Sequence, residues 1–126
     1  MRSFLLCLFF AFSNAHAQSF PNKPVRIVVP FPPGGGTDVV ARTVAPKMQE
    51  VLGQTALIEN RAGAGGNIGT EFVAKSPADG YTLLVASAAT AINNTLAKNP
   101  GWELTRDFAP VVLLVLNQSL LAVHTS

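Results

Sequence analysis

A chain of 126 residues has room for one domain with a modest core. Hydrophobic residues make up 48% of it and charged residues only 13%, with a net charge of +2 and no basic cluster, which argues against nucleic acid as a partner. The sole cysteine, Cys7, lies near the N-terminus, so a disulfide framework is excluded.

The first stretch reads as a targeting signal. Met1-Arg2 gives a short positive start, residues 3–12 an apolar run, and Ala15-His16-Ala17 a small-x-small cleavage site. The expectation is a signal peptide over 1–17, with Gln18 the mature N-terminus and a domain over 18–126; a buried N-terminal strand is the alternative. The run is too short to span a bilayer as a helix. Leu6 before Cys7 is not small, which disfavours a lipoprotein anchor. Removal of the peptide would leave no thiol, as an oxidising compartment permits.

The run V-R-I-V-V-P-F-P-P-G-G-G-T-D over residues 25–38 predicts a strand, a tight glycine loop and a helix start. The strand is apolar on both faces apart from Arg26, as one covered on both sides should be. Thr37 is the expected N-cap and Asp38 a first-turn residue suited to the helix dipole, its side chain turned away from the loop. Val40, Val44, Met48 and Val51 recur at helical spacing. Pro46 predicts a kink near Arg42, and Gly53 ends the helix.

The same grammar then repeats. Residues 55–59 form a second strand and residues 60–69 a second glycine loop, with Asn67 capping a helix that carries Ile68, Phe72 and Val73 on one side. Ser76-Pro77 stops that helix, and Ala78-Asp79-Gly80 is a turn. Residues 82–86 make a third strand, leaving through Ser87-Ala88-Ala89-Thr90. Residues 91–98 suggest a short helix and residues 102–107 an irregular segment anchored by Trp102. The apolar runs 111–116 and 120–123 read as two further strands.

Strand–helix–strand–helix–strand is the order of a parallel α/β sheet, in which all C-terminal strand loops meet at one edge. Two glycine loops there, each feeding a helix N-terminus, form a cradle of backbone N–H groups for an oxyanion. Gly35 is expected to need positive φ, so a β-branched residue there should abolish binding. The loops also have a plainer reading as tight turns.

Several chemistries fail on spacing. A dinucleotide fingerprint needs a third glycine where Val39 or Ile68 stands, and no lysine follows either loop to make a P-loop. A serine hydrolase needs G-x-S-x-G and a histidine base, and beyond the leader only His124 is present. No metal, cofactor or catalytic residue is expected. Arg61 either reaches an anionic ligand or is a solvated loop arginine; Trp102 and Phe108 are packing residues.

The run V-R-I-V-V-P-F-P-P-G-G-G-T-D-V-V-A-R resembles the start of mature solute receptors of tripartite tricarboxylate transporters, the Bug family. So do A-P-K-M-Q-E-V-L-G-Q, I-E-N-R-A-G-A-G-G-N-I-G, S-P-A-D-G-Y-T-L-L and R-D-F-A-P-V, in the family's order and over most of residues 20–124. The resemblance implies a type II periplasmic-binding-protein-like α/β lobe with a parallel sheet core, incomplete here, because family members are considerably longer and carry a second lobe. It implies a periplasmic, non-catalytic receptor that captures a small carboxylate through backbone amides and serves membrane permease subunits. The ligand-binding residues it implies are Phe31, Pro33, Gly34, Gly35, Gly36 and Thr37 in the first loop, Gly63, Ala64, Gly65, Gly66 and Asn67 in the second, and Ser87, Ala88 and Thr90 after the third strand. Ala62 stands where the family usually has proline. A truncated, non-functional receptor and the nucleotide-binding half of an enzyme are the alternative readings.

Overall fold

The computed structural model describes residues 19–116, 121 and 122. The expected signal peptide, His124 and parts of the expected 120–123 strand lie outside the described residues. Within them the order is β1 (Val25–Val29), α1 (Gly36–Leu52), β2 (Ala56–Asn60), a 3-10 turn (Ala64–Gly66), α2 (Asn67–Ala74), β3 (Thr82–Leu84), α3 (Ala88–Leu96) and α4 (Leu104–Asp107). The three strands form one parallel sheet in the order β2-β1-β3, with Val25 opposite Ala56 and Arg26 opposite Thr82. This is the expected α/β architecture, and the strand order reverses at β1.

Side chains alternate across β1 and send Ile27 and Val29 to one face, where they pack with Ala41 and Ala45 of α1. Phe31, Met48, Ala56, Ile58 and Val85 close that cluster. Val28, fully buried, faces the other way, toward the helix α2 that contributes Thr70 and Val73 to the interior. A Cβ on Gly69 would lie 2.6 Å from the Arg61 carbonyl oxygen and 2.9 Å from Pro30 Cα, so only glycine lets α2 come this close. Trp102, 3% exposed, anchors the segment after α3 and meets the Phe108 ring edge-on at 6.1 Å.

Several boundaries differ from the expectation for physical reasons. Gly35, not Thr37, is the N-cap of α1, because its carbonyl already accepts the Val39 N–H at 3.0 Å. The left-handed residue of that loop is Gly34 at φ +84°, while Gly35 sits at −74°, so the conformational demand falls one residue earlier than expected. Helix α1 runs through Pro46 as one element and ends at Gly53 as expected, with φ +65° and its N–H on the Gln49 carbonyl. Asn67 is the first residue of α2 rather than its cap, Gly66 taking that place. The face that α2 buries is Gly69, Thr70 and Val73, which leaves Ile68 54% exposed.

Strand β3 stops at Leu84, although Val85 still donates to the Val28 carbonyl. Helix α3 begins three residues earlier than expected because Ser87 and Thr90 form a capping box. The segment expected to be irregular contains the single turn α4. Residues 111–116 are not a strand: they carry no regular structure, and each is exposed. Apolar, β-branched composition alone cannot make a strand without a neighbouring ladder to supply its hydrogen bonds. No helix among the described residues is long and apolar enough to cross a membrane.

Candidate functional site

The C-terminal edge of the sheet gathers the segments that follow all three strands. The first is locked by a buried polar network. Asp38, 2% exposed, accepts the Gly34 N–H at 2.9 Å and Arg42 Nε at 2.8 Å on Oδ2, and Asn60 Nδ2 at 2.8 Å on Oδ1. Asn60, the last residue of β2, also donates to the Phe31 carbonyl at 3.2 Å and accepts Arg42 Nη2 at 3.3 Å. The Arg42 side chain, the Gly34 amide and Asn60 together hold the Asp38 carboxyl well below the usual carboxylate range, against the cost of burial. Asp38 is therefore a structural hub, and the Gly34 N–H is already spent on it.

The second segment turns through a run of left-handed residues: Gly63 at φ +135°, Ala64 at +47°, Gly65 at +66° and Gly66 at +99°. Gly66 donates to the Gly63 carbonyl at 2.9 Å and lies against Phe31, whose Cζ would be 3.3 Å from a Cβ at that position. Asn93 of α3 donates from Nδ2 to the Gly65 carbonyl at 2.7 Å, tying the third segment to the second. Thus Asn60 joins the first loop to β2, and Asn93 joins α3 to the second loop. Sequence reading missed both asparagines: it put Asn60 at the start of the second loop, whereas Asn60 is the last residue of β2, and it gave Asn93 no role.

The expected site residues fall on this edge with different freedoms. Pro33, Gly34, Gly35 and Gly36 are exposed, and Thr37 is half-buried in the first turn of α1. Ala64 and Gly65 are exposed, Gly63 and Asn67 half-buried and Gly66 buried, while Phe31 is half-buried between the loops. Ser87 caps α3, Ala88 is exposed on its first turn, and Thr90 is buried with its hydroxyl accepting the Ser87 N–H at 3.2 Å. The first backbone N–H groups of a helix have no intrahelical acceptor, so α1, α2 and α3 each point donors at this edge. Asn67 Oδ1 is buried there without a hydrogen-bond partner.

Arg61 is committed elsewhere. Its Nε pairs with Glu59, and its guanidinium lies 3.5 Å from the Phe72 ring centroid. At the opposite end of the sheet an open groove is lined by Lys23, Arg26, Phe72, Lys75 and Tyr81, among others. Its cations are paired, Lys23 with Asp79, Arg26 with Glu59 and Lys75 with Glu71. No cluster of three histidine, cysteine or acidic side chains able to hold a metal occurs among the described residues.

Residues 40–126 match the family described as the tripartite tricarboxylate transporter family receptor. A UPF0065 protein from the tcbD-tcbE intergenic region of Pseudomonas sp. (strain P51) is 43% identical over 114 residues, which is 88% of this chain and 34% of that protein. The structure of the periplasmic binding protein BugD matches with a TM-score of 0.64 at 49% identity, over 67% of this chain and 28% of BugD. MatC from Rhodopseudomonas palustris, solved with bound malate, matches with a TM-score of 0.62 at 43% identity, over 75% of this chain and 33% of its own. The chain spans about a third of the length of the curated relatives it matches. With this match over most of its residues, and the fold shared with periplasmic binding proteins, the chain belongs to the tripartite tricarboxylate transporter receptor family.

Proposed function

We propose that this chain supplies the carboxylate-capturing edge of a periplasmic solute receptor that delivers its ligand to the permease subunits of a tripartite tricarboxylate transporter. The observation that supports the reading is that the β2-β1-β3 order reverses at β1, with each strand followed at the same sheet edge by a helix start and two of them by a glycine loop. A carboxylate gains from the N–H donors of such helix starts because charge-assisted hydrogen bonds contribute about 1.5–3 kcal/mol each. The Gly34 N–H is occupied by Asp38, so the donors on offer are those at the first turns of α1, α2 and α3 and in the second loop. The chain binds and does no chemistry on its ligand. The leader over residues 1–17 directs export and is removed after Ala17, leaving the domain over residues 18–126.

The experiment is an amide-resolved NMR titration of the full chain with malate and succinate. Saturable shifts concentrated at Gly36, Thr37, Gly65, Asn67 and Ala88 are the expected result. Shifts confined to the groove at Lys23 and Tyr81, or none at all, would overturn the assignment.

A further inference from the structure

The groove at the far end of the sheet, by the starts of β1 and β3 and the close of α2, plays no part in carboxylate capture. It holds about 590 Å³, and three cations, Lys23, Arg26 and Lys75, line it against one carboxylate, Asp79. Lys23 pairs with Asp79 at 3.1 Å and lies 4.2 Å from the Tyr81 ring centroid. Glu59, which pairs with Arg26, and Glu71, which pairs with Lys75, stand outside the lining.

The positive surplus is concentrated at Glu59. Its two oxygens face two guanidiniums, Arg26 Nε at 3.4 Å and Arg61 Nε at 2.5 Å, and among the described residues neither arginine meets a second carboxylate. Lys23, Arg26, Arg61 and Lys75 set against Asp79, Glu59 and Glu71 leave one net positive charge. The negative end of α2 does not cancel it, because its last carbonyls are bonded. The Lys75 N–H takes Glu71, the Ser76 N–H takes Val73 and the Ser76 hydroxyl takes Phe72. The Phe72 and Tyr81 rings, one under Arg26 and one under Lys23, give the groove its apolar part.

We propose that this groove docks an acidic segment of a partner protein, one in which aspartate or glutamate side chains flank an apolar one. A small-molecule site encloses most of its ligand. This groove is open and its cations are exposed, so a free small anion would keep its water there and gain little. A segment carried by a protein brings several carboxylates at once and covers the ring surface with its apolar side chain. Complementary charge steers and orients such an encounter. The groove and the glycine loops lie at opposite ends of the strands, so a docked partner leaves the capture edge open. The proposal does not depend on carboxylate capture.

The test titrates the full chain with a capped peptide, E-D-L-E-D-L, and with its neutral counterpart, Q-N-L-Q-N-L, followed amide by amide. The acidic peptide should give saturable shifts at Lys23, Lys75 and Tyr81 that weaken as salt rises from about 0.05 to about 0.5 M. The neutral peptide should give none. Lys75→Glu, with its amide dispersion retained, should weaken the acidic peptide about fivefold, and Arg26→Lys, which keeps the charge, should change it less. Equal binding of both peptides, indifference to Lys75→Glu, no shifts in the groove, or saturation of the groove by succinate alone overturns the proposal. Co-sedimentation with phosphatidylglycerol vesicles without peptide binding also overturns it and makes the groove a lipid contact. Carboxylate capture is read from other amides, Gly36, Gly65 and Ala88, and stands or falls separately.

Discussion

Asn60 and Asp38 meet at 2.8 Å, the last side chain of β2 donating to a carboxylate in the first turn of α1. Because Asn60 also holds the Phe31 carbonyl and Asp38 holds the Gly34 N–H, this one contact fixes both ends of the first glycine loop. Removing either partner leaves buried polar groups with nothing to bond. Asp38→Ala should therefore lower the thermal midpoint more than Asp38→Asn, which keeps the shape and part of the bonding. Parallel thermal melts by circular dichroism check the order; equal midpoints would remove Asp38 from its role as hub.

The same carboxylate sets a pH dependence. Its folded-state pKa is depressed, so its contribution is fully present above the ordinary aspartate value of about 3.9 and is lost as pH falls below it. Asp107, brought to about 2 chiefly by the Arg106 side chain, and Asp79, lowered chiefly by the Tyr81 amide, titrate with the same sign. Urea unfolding between pH 2.5 and 6 should show stability falling on the acid side. The fall should be shallower in Asp38→Asn, whose difference from the parent isolates that one group.

Two glycines should respond in opposite directions. At Gly69 a new Cβ would run into the backbone of Arg61 and Pro30, so Gly69→Ala should cost about 2–3 kcal/mol through overpacking. At Gly36, the first residue of α1, nothing lies within 4 Å of a new Cβ and φ is not positive, so Gly36→Ala should be neutral or stabilise by up to about 1 kcal/mol. Denaturant midpoints of the two variants decide it.

Arg61→Ala should leave ligand affinity nearly unchanged, since its guanidinium is spent on Glu59 and Phe72. The stability loss should be about 1 kcal/mol, the usual contribution of a part-exposed ion pair with a cation–π contact. A large drop in carboxylate affinity would place Arg61 back in the site.

The exposed run Val111, Val112, Leu113, Leu114, Val115 and Leu116 has β-forming composition and no ladder partner among the described residues. Such segments promote self-association. Replacing Leu113 and Leu116 with lysine should shift the sedimentation profile toward monomer. An unchanged profile would show the run to be inert.

The central strand, the glycine loops, the Gly53 stop and the parallel order were legible because each rests on local chemistry: an apolar run, a missing Cβ, a left-handed cap. Long-range packing hid the rest. Ile68 reads as core by spacing, yet Gly69 permits a closer approach and turns a smaller face inward. Asp38 reads as a first-turn residue turned away from the loop because Asn60, which bonds it from β2, lies 22 residues away in sequence. Residues 111–116 read as strand because composition cannot say whether a neighbour is present. At the candidate site, the glycine loops were legible in the sequence as loops; the asparagines that lash them together were not.

The register of β1 also orders assembly in time. Its pairing with β2 closes across a single helix, whereas its pairing with β3 waits for nearly twice the length of chain, with β2 and α2 in between. The β1-α1-β2 unit, which contains the Asp38–Asn60 contact, therefore needs the shorter loop to close. Loop closure disfavours the distant pair as well. The first glycine loop is set early, and the edge that α3 later joins is shaped on a template already in place.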